Sequence, residues 1–355
     1  FKRWDDPLWE PELQVETALR FGLRAYLPHL YLTGVRYNED DGSSGWLWDE
    51  ERGFQGLERA VDFIKKFHGA FDGRIGSYLF PYTCDQASED LLKETRRRAT
   101  ELSVRIKMHF AQGQFELDEI ADRHDGLTPV EFLESIGFLD ADVMLTHCKL
   151  GRGHQGGPGL SDEELATLAG RQVSVGHTPW IYAMRGGYLN SFSRYQQAGI
   201  NICLGTDTHP NDMIREMLFA AVMGKTAAGG EGPSARDVYN AATVNGAQFL
   251  GRDDLGRLAP GSKADIVAVE LERAAVGPHH DPIRSLVYFS SLADVKHVFV
   301  DGRQLVHDGA VTFLDEAEVI RRSQPVAEKV RNTLVGWDHR GRTSAERFPT
   351  SFEMR

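Results

Sequence analysis

The chain has 355 residues, of which 41% are hydrophobic and 26% are charged, and its formal net charge at pH 7 is -12. This composition is typical of a soluble globular enzyme with a large buried core, and the acidic balance argues against nucleic acid or an anionic membrane as a partner. No run of about 18 apolar residues is present that would span a membrane. Cys84, Cys148 and Cys203 form neither a C-x-x-C pair nor a disulfide framework, which favours a cytoplasmic protein.

Short apolar runs that favour strands alternate along the chain with segments of helical periodicity. The predicted strands are Leu23–Leu27, Arg74–Leu79, Val104–Phe110, Asp142–His147, Gln172–His177 and Asn201–Asp207. Between them, Ala87–Leu102 and Thr128–Ile136 have the 3.6-residue period of helices. Repeated strand and helix units predict a parallel sheet with helices outside it, either open or closed into a barrel. A closed (β/α)8 barrel needs eight strands and six are visible, so either the sheet is open or two strands are missing.

The pattern changes after the sixth predicted strand. Ser234 and Asp237 are placed to cap a helix running to about Leu250, because the serine hydroxyl can accept from a free amide at the helix start. Short strands and tight hairpin turns follow, with strands at Gly256–Leu258, Ala264–Glu270 and Lys296–Val300 and turns at Asp301-Gly302 and Asp308-Gly309. Leu314–Leu334 again has helical periodicity. We therefore predict a barrel domain at residues 1–251, part of a small β-sandwich at 252–312, and a C-terminal helix and tail at 313–355.

Residues that can bind metals end several of the predicted strands. His109, His147 and Asp207 end three runs, and His177 ends a fourth. In a parallel barrel the carboxyl ends of the strands meet at one mouth, so these side chains are expected to converge. A single strand-end histidine is more often a hydrogen-bonded core residue, and a single aspartate there more often caps a turn. Several such residues at successive strand ends favour a metal site. The alternation of the last strand places the small Gly205 beneath the Asp207 carboxylate, which leaves room for an ion.

These residues belong to an ordered series of motifs: "MHFAQ", "LTHCKL", "VGHTP", "LGTDTHPND", "MIREMLFAAVMGK", "AATVNGAQFLG" and "GRLAPGSKADIVAVEL". From about Leu19 to Val311 the series resembles the amidohydrolase superfamily, most of all the branch of cytosine deaminase, triazine hydrolases and related aminohydrolases. The resemblance implies a metal-dependent (β/α)8 barrel with a small β-sandwich, which hydrolyses C–N or similar bonds of small molecules. It also implies that His109 and Asp207 bind the metal, and that His147 positions the attacking water or the substrate and shuttles protons.

One departure from the family pattern is large. The family opens its barrel with a His-x-His pair on the first strand, and this sequence contains none; His279-His280 are adjacent and lie in the small β-module. We expect that an N-terminal segment on the order of 100 residues, with two strand–helix units and half of the sandwich, is absent here and supplies the missing metal pair. The alternative is a degenerate homologue without a metal.

The resemblance and the donor set favour one divalent metal ion, with Zn²⁺ expected and Fe, Co or Mn as alternatives. Such an ion lowers the pKa of bound water to about 7. Asp207 can then accept the proton of the water, and His147 can stabilise the oxyanion or assist the leaving group. Binuclear relatives bridge two ions with a carboxylated lysine from the fourth strand, and "RIGSYLFPYT" contains no lysine. Lys107 shares the inward face of its strand with His109, and we interpret it as a buried lysine paired with a carboxylate rather than as an ion bridge.

Gln112 occupies the position at which deaminases of this branch carry a glutamate that protonates a ring nitrogen. Glutamine has no usable pKa and cannot transfer that proton, unless a rearranged loop brings Glu116 into its place. We therefore expect a substrate that needs no ring protonation, such as an acyclic amide, carbamate or urea. The alternative interpretation of Gln112 is an ordinary solvated loop residue.

Other residues of the mouth are candidates for substrate contacts. Aromatic residues in "SSGWLWDEERGF" and at Trp180-Ile181-Tyr182 can cover an apolar ligand, or else fill loop cores and subunit contacts. His177 and His209 are further candidates, and His29 can line the pocket or be structural. The glycine-rich "GRGHQGGPG" with His154 lacks the spacing of a phosphate loop and is interpreted as a flexible edge or lid.

The predicted function is a metal-dependent hydrolase that cleaves a non-peptide C–N bond, of amide, carbamate or urea type, in a small aromatic or hydrophobic molecule. One alternative is an aminohydrolase, deaminase or chlorohydrolase that acts on a triazine, pyrimidine or purine ring. The other is a barrel scaffold without catalysis. A homo-oligomer is expected, because members of this branch often assemble.

Overall fold

A computed structural model of the chain describes residues 9–38, 43–153, 159–187, 189, 192–278, 280–336, 338 and 340–352. His154 and His279 lie outside the described residues. Within these ranges no helix combines the length and the apolar character needed to cross a membrane.

Strands and helices alternate through most of the chain. The strands are β1 (Ala25–Tyr26), β2 (His29–Tyr31), β3 (Gly34–Asn38), β4 (Ser44–Trp48), β5 (Ile75–Gly76), β6 (Leu79–Pro81), β7 (Ile106–Phe110), β8 (Val143–His147), β9 (Ser174–His177), β10 (Asn201–Leu204), β11 (Ile266–Val269), β12 (Val295–Val300), β13 (Arg303–His307) and β14 (Ala310–Val311). The helices are α1 (Trp9–Phe21), α2 (Glu50–Phe67), α3 (Ala70–Gly73), α4 (Glu89–Leu102), α5 (Gln114–Arg123), α6 (Pro129–Ser135), α7 (Asp162–Gly170), α8 (Pro179–Ala183), α9 (Phe192–Gln197), α10 (Met213–Ala227), α11 (Ala235–Ala242), α12 (Val244–Leu250), α13 (Pro282–Phe289), α14 (Glu316–Thr333) and α15 (Ser344–Arg347).

Six of these strands form one parallel sheet in the order β2, β6, β7, β8, β9, β10. This order follows the chain, as in a barrel wall, and confirms the predicted parallel sheet with helices between its strands. The largest core cluster lies between the sheet and its helices and includes Leu57, Leu92, Ile106 and Phe132. The predicted helices at Ala87–Leu102 and Thr128–Ile136 correspond to α4 and α6, which begin after the capping side chains of Ser88 and Thr128.

The first two predicted strands are each divided in two. Leu23–Leu27 contains β1 and leads into β2, and Arg74–Leu79 contains β5 and leads into β6. β1 pairs with β5 and β2 with β6, so both ladders are interrupted at the same level. Side chains replace the ladder there: the Ser77 hydroxyl donates to the Leu27 carbonyl at 2.7 Å, and the Ser77 N–H donates to Nδ1 of His68 at 3.1 Å. The Ser77 N–H, which has no strand partner at the break, is thus satisfied by a side chain.

Two predictions for the segment after the sheet are wrong. The single helix predicted from Ser234 to about Leu250 is two helices, α11 and α12, because Thr243 has non-helical angles (φ -132°, ψ -91°). No strand forms at Gly256–Leu258, where Gly256 turns with φ +74° and approaches the Thr243 carbonyl too closely for a side chain. The capping box of Ser234 and Asp237 is present as predicted.

The last four strands form an antiparallel sheet in the order β11, β12, β13, β14. Asp301-Gly302 joins β12 to β13 and Asp308-Gly309 joins β13 to β14, and all four of these residues have positive φ, as the predicted tight hairpin turns require. The Arg24 guanidinium beside β1 pairs with Asp265 beside β11 at 2.6 Å. This ion pair joins the small sheet to the amino-terminal side of the strands, away from the predicted mouth.

Candidate functional site

His109, near the carboxyl end of β7, is surrounded by aromatic rings. Along β7, Ile106, Met108 and Phe110 are buried against the helices, so Lys107 and His109 face the other side of the sheet. The His109 ring lies 5.1 Å from Tyr82 and 5.3 Å from Phe80, centroid to centroid. The position of His109 at the sheet's mouth agrees with the prediction from the sequence.

His147 ends β8 beside His109, and the two imidazoles are stacked. Their ring centroids are 5.2 Å apart and the planes differ by 8°. Nδ1 of His147 is hydrogen-bonded to Oγ1 of Thr178 at 3.1 Å, which leaves Nε2 as its second functional nitrogen. Burial, together with the nearby positive charges of His109 and Lys149, lowers the pKa of His147 to about 3. Its ring is therefore neutral at pH 7 and presents one donor and one acceptor.

Asp207 follows the end of β10, on the same side of the sheet. Burial raises the pKa of the Asp207 carboxyl, whereas the positive charges of Arg185 and Lys107 act in the opposite direction. The sequence predicted a carboxylate at this edge and the structure places one there. No ion pair within 4.0 Å joins it to a described cation, so its oxygens are not committed to a salt bridge in this part of the chain.

Backbone strain marks the same edge. Ala111, His147, Cys148 and Asp207 all have positive φ, at 48°, 81°, 48° and 59°. Such angles are uncommon for residues other than glycine, and they persist only where the surroundings hold them. Their concentration at the ends of three strands supports a functional role for this edge.

The donor set has the chemistry of a site for a divalent ion, but it is incomplete. Imidazole from His109 and carboxylate from Asp207 are ligands that Zn²⁺ accepts. Among the described residues, however, no group of three histidine, cysteine, aspartate or glutamate side chains is close enough to hold an ion. The described part of the chain therefore contributes candidate ligands without forming a closed site.

Glu116 stabilises the turn that follows β7 through hydrogen bonds. Its carboxylate accepts from the N–H groups of Ala111 at 2.7 Å and Gln112 at 3.0 Å, and the Cys84 thiol donates to it at 3.1 Å. Its side chain is 0% exposed. The loop rearrangement that would bring Glu116 into the place of a catalytic acid would break all of these bonds, so its position argues for a structural role.

Replacing Glu116 with alanine is expected to lower the free energy of unfolding by about 3 kcal/mol, because two N–H groups in a buried turn lose their acceptor. Urea denaturation followed by circular dichroism measures the change. Glu116→Gln keeps one acceptor and is expected to cost roughly half as much. Asp118→Ala, an exposed change on the same helix, serves as the control, and an equal loss there would contradict the assignment.

The pH dependence of stability gives a second readout of Glu116. Burial, together with the nearby Asp85, raises the pKa of Glu116 well above its ordinary value of 4.5. The folded chain thus holds a proton that the unfolded chain releases, so the contribution of this group is complete below about pH 4.5 and declines as the pH rises above that value. Glu116→Gln is expected to remove this part of the pH dependence.

Lys107 lies beneath His109 on the inward face of the sheet. Burial lowers its pKa, and Asp207 is the nearest carboxylate that acts against this effect. The predicted pairing with a carboxylate is not present at contact distance among the described residues, and the ammonium instead lies 5.9 Å from the ring centroid of Tyr78. His29 is buried at the start of β2 rather than near a strand end, which agrees with a structural use.

His177 at the end of β9 and Trp180 in α8 are predicted substrate contacts, and the rings of both pack against other aromatic residues. His177 is buried beside Phe192, and burial lowers its pKa to about 3. The Trp180 ring stands edge-on to Phe219 at 4.6 Å and lies under the Arg215 guanidinium at 5.0 Å. Both rings thus pack against neighbouring helices as well as bordering the mouth.

His209 is exposed and lines an open cavity of about 490 Å³ with Pro210, Asp212, Arg215 and Ser291. This cavity lies on the rim, between the loop after β10 and the segment that follows α13. The stacked imidazoles of His109 and His147 are not among the residues that line this cavity.

The aromatic segment "SSGWLWDEERGF" forms β4 and the start of α2. β4 pairs with β3 in a hairpin, in which the rings of Trp46 and Trp48 are stacked at 5.4 Å. The Arg123 guanidinium lies 4.7 Å from the Trp48 ring, and that of Arg36 lies 4.5 Å from the Phe115 ring. The hairpin is thereby docked on α5, so at least part of this aromatic surface fills a loop core.

Four residues of the site were not found from the sequence. Thr178 holds His147 across 31 positions, and Glu216 accepts from the Trp180 N–H at 3.1 Å across 36. Lys149 lies over the ring of Tyr182 in α8, and Arg185 follows that helix. Thr178 and Lys149 are close to His177 and His147 in the sequence, but this proximity does not specify which distant side chain each of them contacts.

Comparisons with known proteins agree with this architecture. The Amidohydrolase family model matches residues 14–305 of the chain. The 5'-deoxyadenosine deaminase of Methanothermobacter thermautotrophicus is 35% identical over 291 residues, which cover 80% of this chain and 65% of that protein. The chain thus spans just under two thirds of the length of that curated relative.

Two solved structures resemble the fold. An adenosine deaminase from Xanthomonas campestris with bound zinc superposes with a TM-score of 0.77 at 21% identity, covering 91% of this chain and 70% of that one. An atrazine chlorohydrolase from Arthrobacter aurescens TC1, complexed with zinc, gives a TM-score of 0.75 at 22% identity, covering 89% and 68%. The fold is a TIM-barrel-like α/β architecture built on a parallel sheet. With the family match over residues 14–305 and the strand-end residues found in their expected order, the chain belongs to the amidohydrolase family.

Proposed function

We propose that this chain is part of a metal-dependent hydrolase that cleaves a non-peptide C–N bond of a small molecule with an activated water. The observation that carries the proposal is the stacking of His109 on His147 at the carboxyl ends of β7 and β8, with Asp207 just beyond the end of β10 and strained backbone at these strand ends. Deaminase activity in the name of the methanogen relative, itself a hydrolysis of a C–N bond, supports the same reaction class.

His109 and Asp207 are the ligands that this chain contributes to the metal in our proposal. A divalent ion held by these residues would supply a water nucleophile at neutral pH, and we take it to be Zn²⁺ because two structural neighbours hold that ion. Asp207 accepts the proton of the attacking water, and burial, which raises the pKa of its carboxyl, makes it a stronger base. His147, neutral and oriented through Thr178, presents Nε2 to the oxygen or leaving group of the substrate.

The substrate is an amide, carbamate or urea in the first form of this proposal. Gln112 stands in the turn after β7, where it can donate and accept hydrogen bonds but cannot transfer a proton. Glu116, the acidic residue nearest in sequence, is buried and holds the turn by two backbone hydrogen bonds. A carbonyl polarised by a metal needs no protonated ring nitrogen, which suits a site with these two residues.

Deamination of an aminoheterocycle is the second candidate, and the name of the 5'-deoxyadenosine deaminase relative favours it. In this form Gln112 would hold a ring nitrogen by a hydrogen bond, and the proton would reach the ring from His147 or Asp207.

An ammonia-release assay over ureas, carbamates, primary amides and aminoheterocycles tests the proposal, with the chain assayed before and after treatment with EDTA. We expect turnover that EDTA removes and Zn²⁺ restores, with the acyclic substrates preferred. Preference for an aminoheterocycle would select the second candidate. No metal-dependent turnover with any class would contradict both and would favour a scaffold without catalysis.

Thr178→Val is expected to lower kcat about tenfold while leaving KM and the unfolding midpoint nearly unchanged, because the His147 ring loses the bond that orients it. Steady-state kinetics on the substrate identified above measure the effect. Thr178→Ser retains the hydroxyl and should restore most of the activity. Equal losses in the two variants would show that Thr178 acts through packing instead.

A further inference from the structure

Two cations flank Tyr182 at the mouth of the sheet. The Lys149 ammonium, two residues beyond His147, lies 3.9 Å from the centroid of the Tyr182 ring. The same ring stands edge-on to His147 at 5.1 Å. Tyr182 therefore bridges the space between a cation and a candidate catalytic imidazole.

Arg185 lies in the turn that follows α8, close to Tyr182 along the backbone. After α8 the chain turns back, with the N–H groups of Arg185 and Gly187 both donating to the Tyr182 carbonyl, at 2.9 and 2.8 Å. Gly187 in this turn lies beside the Lys149 ammonium, because a Cβ at position 187 would be 3.7 Å from Nζ, and the Arg185 charge acts on both Lys149 and Tyr182. Burial and this neighbouring charge lower the pKa of Lys149, as expected where two cations approach each other.

Neither cation has a carboxylate partner in the described part of the chain. This is unusual for the surrounding surface, because arginines on neighbouring segments are each paired with an acid at 2.6 Å: Arg152 with Glu131, Arg171 with Glu134, and Arg194 with Asp162. The protein as a whole carries a net charge of -12, so acidic residues are not scarce. Two adjacent cations left unpaired beside a candidate active site create a local positive potential that attracts an anion.

We propose that Lys149 and Arg185 form a subsite for an oxyanion of the substrate, a carboxylate or a phosphate, with Tyr182 supporting its apolar part. This inference rests on the proposed function and names the substrate class of the same site. A planar guanidinium binds two oxygens of an oxyanion in a fork, and the ammonium adds a third donor. The Tyr182 ring holds the Lys149 ammonium in place, and the N–H groups that point away from the ring can donate to the anion. The substrate is then an anionic molecule whose scissile C–N bond lies toward His147 and Asp207.

Binding of non-hydrolysable probes to the 355-residue chain tests the subsite separately from catalysis. Benzoate, benzenesulfonate and phenyl phosphate are the anionic probes, and methyl phenyl sulfone is the neutral analogue. Isothermal titration calorimetry measures the affinity of each probe. The protein is first treated with EDTA, so that no bound metal can hold the anion, and the comparison is repeated after addition of Zn²⁺. We expect each anion to bind at least tenfold more tightly than the sulfone, with an affinity that falls as salt is added. The tighter of benzoate and phenyl phosphate assigns the oxyanion to a carboxylate or a phosphate.

The variant Lys149→Gln/Arg185→Gln is expected to lose at least tenfold in anion affinity and to bind methyl phenyl sulfone as before. Lys65→Gln, an exposed change on α2, controls for the loss of positive charge. The two single variants repeat the test if circular dichroism shows that the double variant is unfolded. Equal affinity for anions and sulfone, or anion binding that none of these variants weakens, would overturn the inference.

Different experimental results would contradict the proposed function and this inference. Selective anion binding without turnover would retain the subsite and reject the hydrolase. Turnover of neutral ureas or amides by a chain that does not distinguish anions from the sulfone would retain the hydrolase and reject the subsite.

Discussion

Replacing His109 with alanine is expected to remove the bound metal from this protein and to lower kcat/KM by at least about a thousandfold, equivalent to roughly 4 kcal/mol of transition-state stabilisation. The reason lies in the position of the residue. His109 is on the inward face of β7 and stacks on His147 with centroids 5.2 Å apart, where loss of the ring removes one proposed metal ligand and one wall of the site. Metal analysis by inductively coupled plasma mass spectrometry and steady-state kinetics measure the two effects.

The control for this experiment is His307→Ala, which removes an exposed imidazole from β13 in the small sheet. Metal content and kcat/KM should be unchanged in that variant. If His109→Ala retained stoichiometric metal, the ligand assignment would be wrong. If it lost the metal but kept its activity, the ion would have no catalytic role.

The strand ends that carry the site could be predicted because the signal is local. In β7 and β8 the apolar alternation and the terminal histidine lie within five residues of each other, and parallel strands carry their ends to one edge whatever the details of the loops. The positions of His109, His147 and Asp207 follow from this rule alone. Their possible roles came from the series of motifs.

The interruptions of the first two strands could not be predicted in the same way. They depend on the Ser77 hydroxyl meeting the Leu27 carbonyl across 50 positions, and on His68 accepting from the Ser77 N–H. Likewise, the break at Thr243 is stabilised from outside the helix, because Asn245 on α12 donates to the Ile202 carbonyl of β10 at 2.8 Å. Helix propensity favours one continuous helix there, but the tertiary hydrogen bond stabilises the break.

The function of Glu116 was also hidden from the sequence. Its spacing from His109 allowed a catalytic acid, and only its full burial and its bonds to Ala111 and Gln112 reveal a structural carboxylate. The same observation makes Gln112 more informative about the reaction, because the nearby acid Glu116 is bound to the backbone and does not replace it. The identity of the residue at position 112 therefore becomes the most informative single feature for the reaction.

Gln112→Glu is expected to raise the deamination of aminoheterocycles such as 5'-deoxyadenosine by at least about a hundredfold, the usual size of a general acid contribution. The turn holds the backbone of this residue through Glu116, so the new carboxyl would occupy the place of the amide. It could then protonate a ring nitrogen as water adds to the neighbouring carbon. Ammonia release with matched concentrations of 5'-deoxyadenosine and of an acyclic urea measures the change.

Hydrolysis of the acyclic substrate should fall in the same variant, because a second negative charge near the attacking water disfavours the developing oxyanion. Gln114→Glu is the matched control, since it adds the same charge two residues away on the exposed start of α5. A gain in ring deamination confined to Gln112→Glu, with a loss on the urea, would mean that the glutamine itself directs the site toward acyclic bonds. A wild-type chain that already deaminates the ring faster than either variant would contradict this explanation, and would assign the ring proton to His147 or Asp207.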